Sequence, residues 1–297
     1  MLADDENQVK SADLMSLIGK YPLIWETVNK DIINLFKDHS KDNIKEFAGS
    51  IKEILNRIKT NVLTNDEKIK AQMTILALEK FYLYSTSKPG DKKVKFGLIE
   101  GSILQRLFFA YDFVRRHVSL FWYNILWNFI KNKNILMPLV YKKGIYCFYT
   151  DKLIKHLKKI IGNKKTLEIA AGDGTLKRFL RNEGVDIVAT DNYSWDSFVT
   201  YNTDDVENMS AVDALKKYNP EIVICSWAPP VNNFEKVVFE TESVKKYIVI
   251  GSKHKFASGN WDSYMEQSNF SLTVDSKLSK LVLPLELDNQ IIIFERQ

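Results

Sequence analysis

Five places in this sequence carry residue types whose chemistry depends on their spacing. The first is Leu167-Glu168-Ile169-Ala170-Ala171-Gly172-Asp173-Gly174-Thr175, with a strand-like apolar run before it and a helical pattern after it. Gly172 and Gly174 let the backbone turn tightly and approach a ligand with no side chain in the way. The helix beyond them offers free amide hydrogens and a positive dipole end to a carboxylate. The second is Asp191, which closes VDIVATD about 20 residues further on. There a second parallel strand delivers a carboxylate that can accept hydrogen bonds from both hydroxyls of a ribose, with Asn192 next to it. The third is the turn at Ser210-Ala211, with Asp213 close behind. The fourth is Ser226-Trp227-Ala228-Pro229-Pro230, just past the strand-like EIVIC, where ligands of open α/β sheets bind. The fifth is Gly251-Ser252-Lys253-His254-Lys255. His254 has an intrinsic pKa suited to a general base, but a histidine in a basic loop reads first as a surface residue.

The elements that must position these residues alternate. A helix over DKLIKHLKKIIGN leads into the strand TLEIA, the helix GTLKRFLRNEG and the strand VDIVATD. A helix near DALKKYN, the strands EIVICSW and YIVIGS, a helix near NWDSYMEQ and the strands SLTVDSKL and NQIIIFER complete the series. Such alternation means a doubly wound α/β sheet. The last two strands are separated only by LVLPLELDN, with no helix between them, so they form an antiparallel hairpin at the sheet edge. A simple dinucleotide-binding domain lacks that hairpin. The G-x-G-x-x-G pattern of such domains also needs a third glycine at 177, where this chain has Lys177.

Here the sequence resembles the class I S-adenosylmethionine-dependent methyltransferases, over roughly Tyr149 to Gln297. Their first motif is acidic-x-Gly-x-Gly-x-Gly; Ala170 stands where the first glycine would be. The resemblance implies a Rossmann-like mixed seven-stranded sheet and S-adenosylmethionine as cofactor. It places Glu168, Gly172, Asp173 and Gly174 at the methionine end, Asp191 and Asn192 at the ribose, Ser210 and Ala211 at the adenine, and Ser226 beside them. In many amino-group methyltransferases the fourth strand ends in Asn or Asp, then Pro-Pro-aromatic. Here Ser226 comes first and the aromatic precedes the prolines. The segment is also similar to a Ser-Trp-x-Pro segment of an uncharacterised group of bacterial methyltransferases. With the first three strand ends taken by cofactor, the methyl group lies near the fourth. Trp227, Pro229 and Pro230 then border the substrate, and Tyr149 closes the other side. The acceptor is a small molecule or a protein rather than nucleic acid.

The N-terminal half reads differently. Apolar residues recur at helical spacing in LMSLIGKYPLIWETVNKDIINLF and IKEFAGSIKEILNRI, and Thr64-Asn65-Asp66-Glu67 starts a further helix. STSKPGDKK is a loop. Residues 101–134 read as helix, with Leu104, Leu107, Phe108 and Tyr111 on one face and an almost wholly apolar stretch from Val118 to Ile130. Arg115, Arg116 and His117 break this run, so it is too short to span a bilayer and reads as a core helix; a partner or dimer face, and then membrane contact through 104–131, are the lesser alternatives. These features give an α-helical region over 1–143, serving as lid, substrate or partner surface, and a cofactor-binding domain over 144–297. The boundary between them falls between Ile135 and Asp151.

Net charge is +7 over 1–150, mostly within 101–150, and −2 over 151–297. An anionic partner of the first half is one reading and a solvated surface the other. The acidic start MLADDENQVK is not a signal peptide, and two cysteines in apolar runs make no disulfide framework, so the expected location is cytoplasmic. The scattered histidines, with two cysteines, make no zinc pattern, and no metal is expected. A non-catalytic cofactor-binding module whose helical half binds a partner or a membrane surface is the alternative function.

Overall fold

A computed structural model describes residues 13–37, 64–85, 96–141, 143–194 and 205–297. The helix expected over IKEFAGSIKEILNRI and most of the STSKPGDKK loop lie outside these residues. The chain divides into two compact units, Met1–Tyr82 and Leu83–Gln297.

In the first unit, α1 (Leu14–Lys20) starts at Asp13, whose side chain accepts the Ser16 N–H at 3.0 Å. Pro22 opens α2 (Pro22–Lys37), so the single apolar pattern becomes two helices. Thr64 and Glu67 form the reciprocal cap of α3 (Asn65–Ser85): Glu67 accepts the Thr64 N–H at 2.9 Å and Thr64 accepts the Glu67 N–H at 3.4 Å. Val28 and Ile32 of α2, and Met73 and Ala77 of α3, are buried.

The second unit holds the sheet together with the described residues of 96–143. The long helix expected over 101–134 is broken. Helix α4 (Leu98–Phe108) ends where β1 (Phe109–Tyr111) turns back on β2 (Val114–Arg115), and Asp112 takes a positive φ of 42° in the turn. Tyr111 is therefore an exposed strand residue rather than part of a helical face. A short helix, α5 (Leu120–Leu126), and α6 (Leu136–Tyr141) follow. Strand β3 (Phe148–Tyr149) then pairs with β10 (Val282–Leu283).

Helix α7 (Asp151–Ile161) is capped by Thr150 and buries Leu153, Ile154, Leu157 and Ile161, the stripe its periodicity predicts. The sheet runs β6 (Glu207–Asn208), β5 (Ile187–Asp191), β4 (Thr166–Ile169), β7 (Ile222–Ser226), β8 (Lys246–Ser252), β11 (Asn289–Arg296), β9 (Phe270–Val274). All neighbours are parallel except β11, which is antiparallel to both β8 and β9. Helices α8 (Thr175–Asn182), α9 (Ala211–Tyr218), α10 (Phe234–Glu240) and α11 (Trp261–Glu266) connect the strands. Leu167, Ile169, Val223, Cys225, Tyr247, Val249 and Phe294 share one buried core. The antiparallel edge pair is as expected, but a four-residue helix, α12 (Ser276–Ser279), intervenes, because Asp275 caps the Lys277 and Leu278 amides and ends the strand at Val274.

Candidate active site

A cavity of about 240 Å³ opens at the carboxyl ends of β4, β5 and β7. Strand β4 delivers Glu168, which is 1% exposed and accepts the Lys177 N–H of α8 at 2.9 Å. Burial pushes its carboxyl up to about 8. Past it the chain enters the left-handed region three times, at Ala170 (φ 49°), Gly172 (φ 57°) and Gly174 (φ 67°). Ala170 pays for its methyl group in local strain of about 1–3 kcal/mol. A side chain on Gly174 would meet Val206 Cγ2 at 2.6 Å, so this glycine serves packing.

Strand β5 brings Asp191 against the loop. One carboxylate oxygen accepts the Gly172 N–H at 2.8 Å and the other accepts the Tyr193 N–H at 2.7 Å. Asp191 thus fixes the glycine loop besides facing the cavity. Burial raises its carboxyl above the ordinary value.

Strand β7 ends at Ser226, whose hydroxyl bonds the Tyr149 hydroxyl at 2.7 Å. Trp227 follows at φ 57°, and its N–H donates to the Ile250 carbonyl at 2.7 Å. The loop beyond is held by Glu235, a fully buried carboxylate at the start of α10. Glu235 accepts from the Asn232 side chain at 2.6 Å, the Asn260 N–H at 2.7 Å, the Tyr264 hydroxyl at 2.5 Å and the Tyr247 hydroxyl.

The cavity wall joins Glu168, Gly172, Asp191, Asn192, Ser226, Trp227, Pro229 and Tyr149. Asp173, Gly174, Ser210, Ala211 and Pro230 do not line it. Ser210 caps α9, accepting the Asp213 N–H at 3.1 Å and donating to the Asp213 carboxylate. Asp173 accepts the Thr175 N–H at 3.0 Å and pairs with Arg115. His254 is corrected from a surface residue to a buried one. It is 2% exposed, stacks on Phe256 and bonds Asp288 at 3.1 Å, tying the end of β8 to the start of β11.

Arg115, Tyr146, Tyr193, Asn233 and Phe234, which no sequence motif singles out, also line the cavity. Arg115 is 5% exposed; it donates to the Cys147 carbonyl at 2.8 Å, and its Nε is buried with no hydrogen-bond partner. A cation inside an apolar run was the available signal, since a buried guanidinium needs anions around it.

The strand order and the cavity's position decide the fold class. Five parallel strands place the site where the chain direction of the crossovers reverses, beside β4, and β11 runs backwards between β8 and the edge strand β9. This is the class I methyltransferase fold. Neither a protein-family model nor a curated protein matches the chain. Among solved structures, the chain is similar to the methyltransferase domain of a bacterial Hen1 (14% identity, 48% of this chain and 97% of that one, TM-score 0.33). It is also similar to an S-adenosylmethionine-dependent methyltransferase from Archaeoglobus fulgidus (13%, 49% and 94%, TM-score 0.33). A third is magnesium protoporphyrin IX methyltransferase from Synechocystis with bound S-adenosylmethionine (12%, 74% and 96%, TM-score 0.38). In the methyltransferase fold of this chain, every cavity-lining carboxylate lies at the ends of β4 and β5, and the end of β7 is aromatic and uncharged.

Proposed function

We propose that this chain transfers a methyl group from S-adenosylmethionine to a small-molecule or protein acceptor. The observation that carries the reading is the joining of Glu168, Gly172, Asp191, Ser226 and Trp227 on the wall of one cavity. The cofactor fits the groups present. The unpartnered Nε of Arg115 and the buried carboxyl of Glu168 are complementary to the carboxylate and ammonium of an amino acid. Asp191 retains acceptor capacity for a ribose, since each oxygen accepts one backbone amide.

When bound, S-adenosylmethionine supplies a methyl group on a positively charged sulfur, an excellent leaving group. What remains for the protein is positioning and exclusion of water. Ala170 and Gly172 shape the cradle, Glu168 and Arg115 fix the amino-acid end, and Asp191 fixes the sugar. Trp227, Tyr146 and Phe234 form an aromatic wall against which a planar or cationic acceptor can lie. The Tyr149–Ser226 hydroxyl pair is placed to orient an acceptor atom by a hydrogen bond. Cys147 also lines the cavity, but burial pushes its thiol up to about 11, so it stays protonated.

Incubating the protein with methyl-labelled S-adenosylmethionine and a cell extract tests this reading. Label retained in a discrete product and lost with Asp191→Ala supports it. A protein that binds the cofactor and transfers no label to any fraction would instead be the non-catalytic module.

A further inference from the structure

Helix α5 has two apolar faces, and only one of them is covered. Tyr123 and Trp127, in the 3-10 turn that follows the helix, are buried against Phe108. Phe121, Trp122, Ile125 and Phe129 point outward, 66%, 54%, 40% and 64% exposed. Their spacing (positions i, i+1, i+4 and i+8) makes them one stripe along the helix and its extension. Phe121 and Trp122 already touch, ring centroids 5.2 Å apart. The stripe is extended by Leu98 and Ile99, because Glu100 accepts the Lys131 N–H at 2.8 Å and draws the start of α4 against the end of the stripe. Of the fifteen large hydrophobic residues exposed among the described residues, nine lie within 96–143. Single exposed apolar residues need no explanation, but a contiguous aromatic stripe marks an interaction surface.

The charge around the stripe selects its occupant. Segment 96–143 carries seven Lys and Arg against two acidic residues. Arg115 is neutralised by Asp173 and Lys133 lies 3.9 Å from Glu286, while Glu100 keeps its charge beside the Lys131 amide. Exposed Arg106, Arg116, Lys131 and Lys143 outnumber the two acidic residues of the segment, Glu100 and Asp112. A second copy of the chain would bring two such basic rims face to face. A surface that is negative and apolar beneath takes both features at once: the aromatic rings enter the acyl boundary and the cations sit among the headgroups.

We infer that the α5 face docks on an anionic lipid surface, Phe121, Trp122, Ile125 and Phe129 inserting and Arg116 and Lys131 meeting the phosphates. No described helix is long and apolar enough to cross a membrane, so the contact is interfacial. It also lies near the candidate active site: Val118, two residues before α5, bridges Thr150, the neighbour of Tyr149. The inference stands apart from the proposed methyl transfer, since it concerns another surface.

The test is co-sedimentation of the full-length protein with phosphatidylcholine vesicles, with and without phosphatidylglycerol. Binding should need the anionic lipid and weaken with salt, each cation near the surface contributing about fivefold. Phe121→Ser/Trp122→Ser/Phe129→Ser should lower binding at least tenfold with an unchanged melting temperature, since the three side chains are exposed. Arg116→Glu/Lys131→Glu should lower binding to anionic vesicles alone. Absence of binding at low salt overturns the inference, as does binding unaffected by both variants. A wild-type dimer that the triple variant converts to monomer would assign the face to a second copy and overturn it too. Trp122 fluorescence shifting to the blue on anionic vesicles would support insertion directly.

Discussion

Arg115 and Asp173 form a buried ion pair that fastens the β1–β2 hairpin to the glycine loop. The guanidinium is 6% and the carboxylate 16% exposed, and Arg115 also lies over the Tyr149 ring, 5.5 Å from its centroid. A segment remote from the sheet in sequence is thereby part of the cavity wall. Arg115→Gln should raise the Kd for S-adenosylmethionine at least about tenfold, the value of one charge-assisted hydrogen bond in a buried site. Its affinity for 5′-methylthioadenosine, which lacks the amino-acid end, should change far less. Equal losses for the two ligands, measured by calorimetry, would reduce Arg115 to a structural ion pair.

Glu168 makes stability depend on pH in a definite direction. Its folded carboxyl, pushed up to about 8 by burial, binds a proton that the unfolded chain releases above about pH 4.5. Between those values the folded state holds more protons, so stability falls as pH rises from about 5 to 8 and the full loss is present above that. Burial raises Asp191 and Glu235 the same way. Glu168→Gln should therefore flatten part of this slope, making the ligand-free variant more stable than wild type at pH 8.5 and closer to it at pH 5. Parallel denaturation curves for the two proteins across this range would contradict the assignment. The same variant should bind S-adenosylmethionine more weakly at pH 8.5, where the wild-type carboxyl is ionised and can face the ammonium.

Trp227 lies on the cavity wall beyond the end of β7, where the proposed reaction puts the acceptor. Trp227→Ala should lower kcat for methyl transfer much more than it raises the Kd for cofactor. Comparable losses in both would place the indole in the cofactor site or the core.

Glu235 holds the loop that carries Trp227 and Pro229 without reaching the cavity itself. Glu235→Ala leaves the Asn232 amide, the Asn260 N–H and two tyrosine hydroxyls without their acceptor. A stability loss of about 3–5 kcal/mol is expected in urea unfolding, as for other buried charged hydrogen-bond networks. A loss below about 1 kcal/mol would show that the loop is held by other contacts.

The alternation of strands and helices after Leu153 was legible because each strand is short, apolar and bounded by turn residues. Glycine loop and Asp191 were legible by their spacing, since a β–α–β unit fixes that distance. The N-terminal half was less so. Its apolar run from Leu104 to Ile130 has helical periodicity, but a positive φ at Asp112 turns the chain, and Phe108 packs against Phe148 of the later strand. Tertiary contacts decided what local pattern left open. His254 was misplaced for the same reason: its partner Asp288 is 34 residues away in sequence. Ser210, expected at the adenine, caps α9 through its hydrogen bonds with Asp213, a local role its position before DALKKY allowed but did not announce.

The reading of this chain as an S-adenosylmethionine enzyme stands most directly on Asp191. Calorimetric titration of the wild-type protein with S-adenosylmethionine should give one site per chain, and Asp191→Ala should weaken it at least tenfold, two charge-assisted hydrogen bonds being worth about 1.5–3 kcal/mol each. A folded wild-type protein that gives no binding heat and no rise in melting temperature with the cofactor would contradict it, and so would a folded Asp191→Ala variant that binds as tightly as wild type.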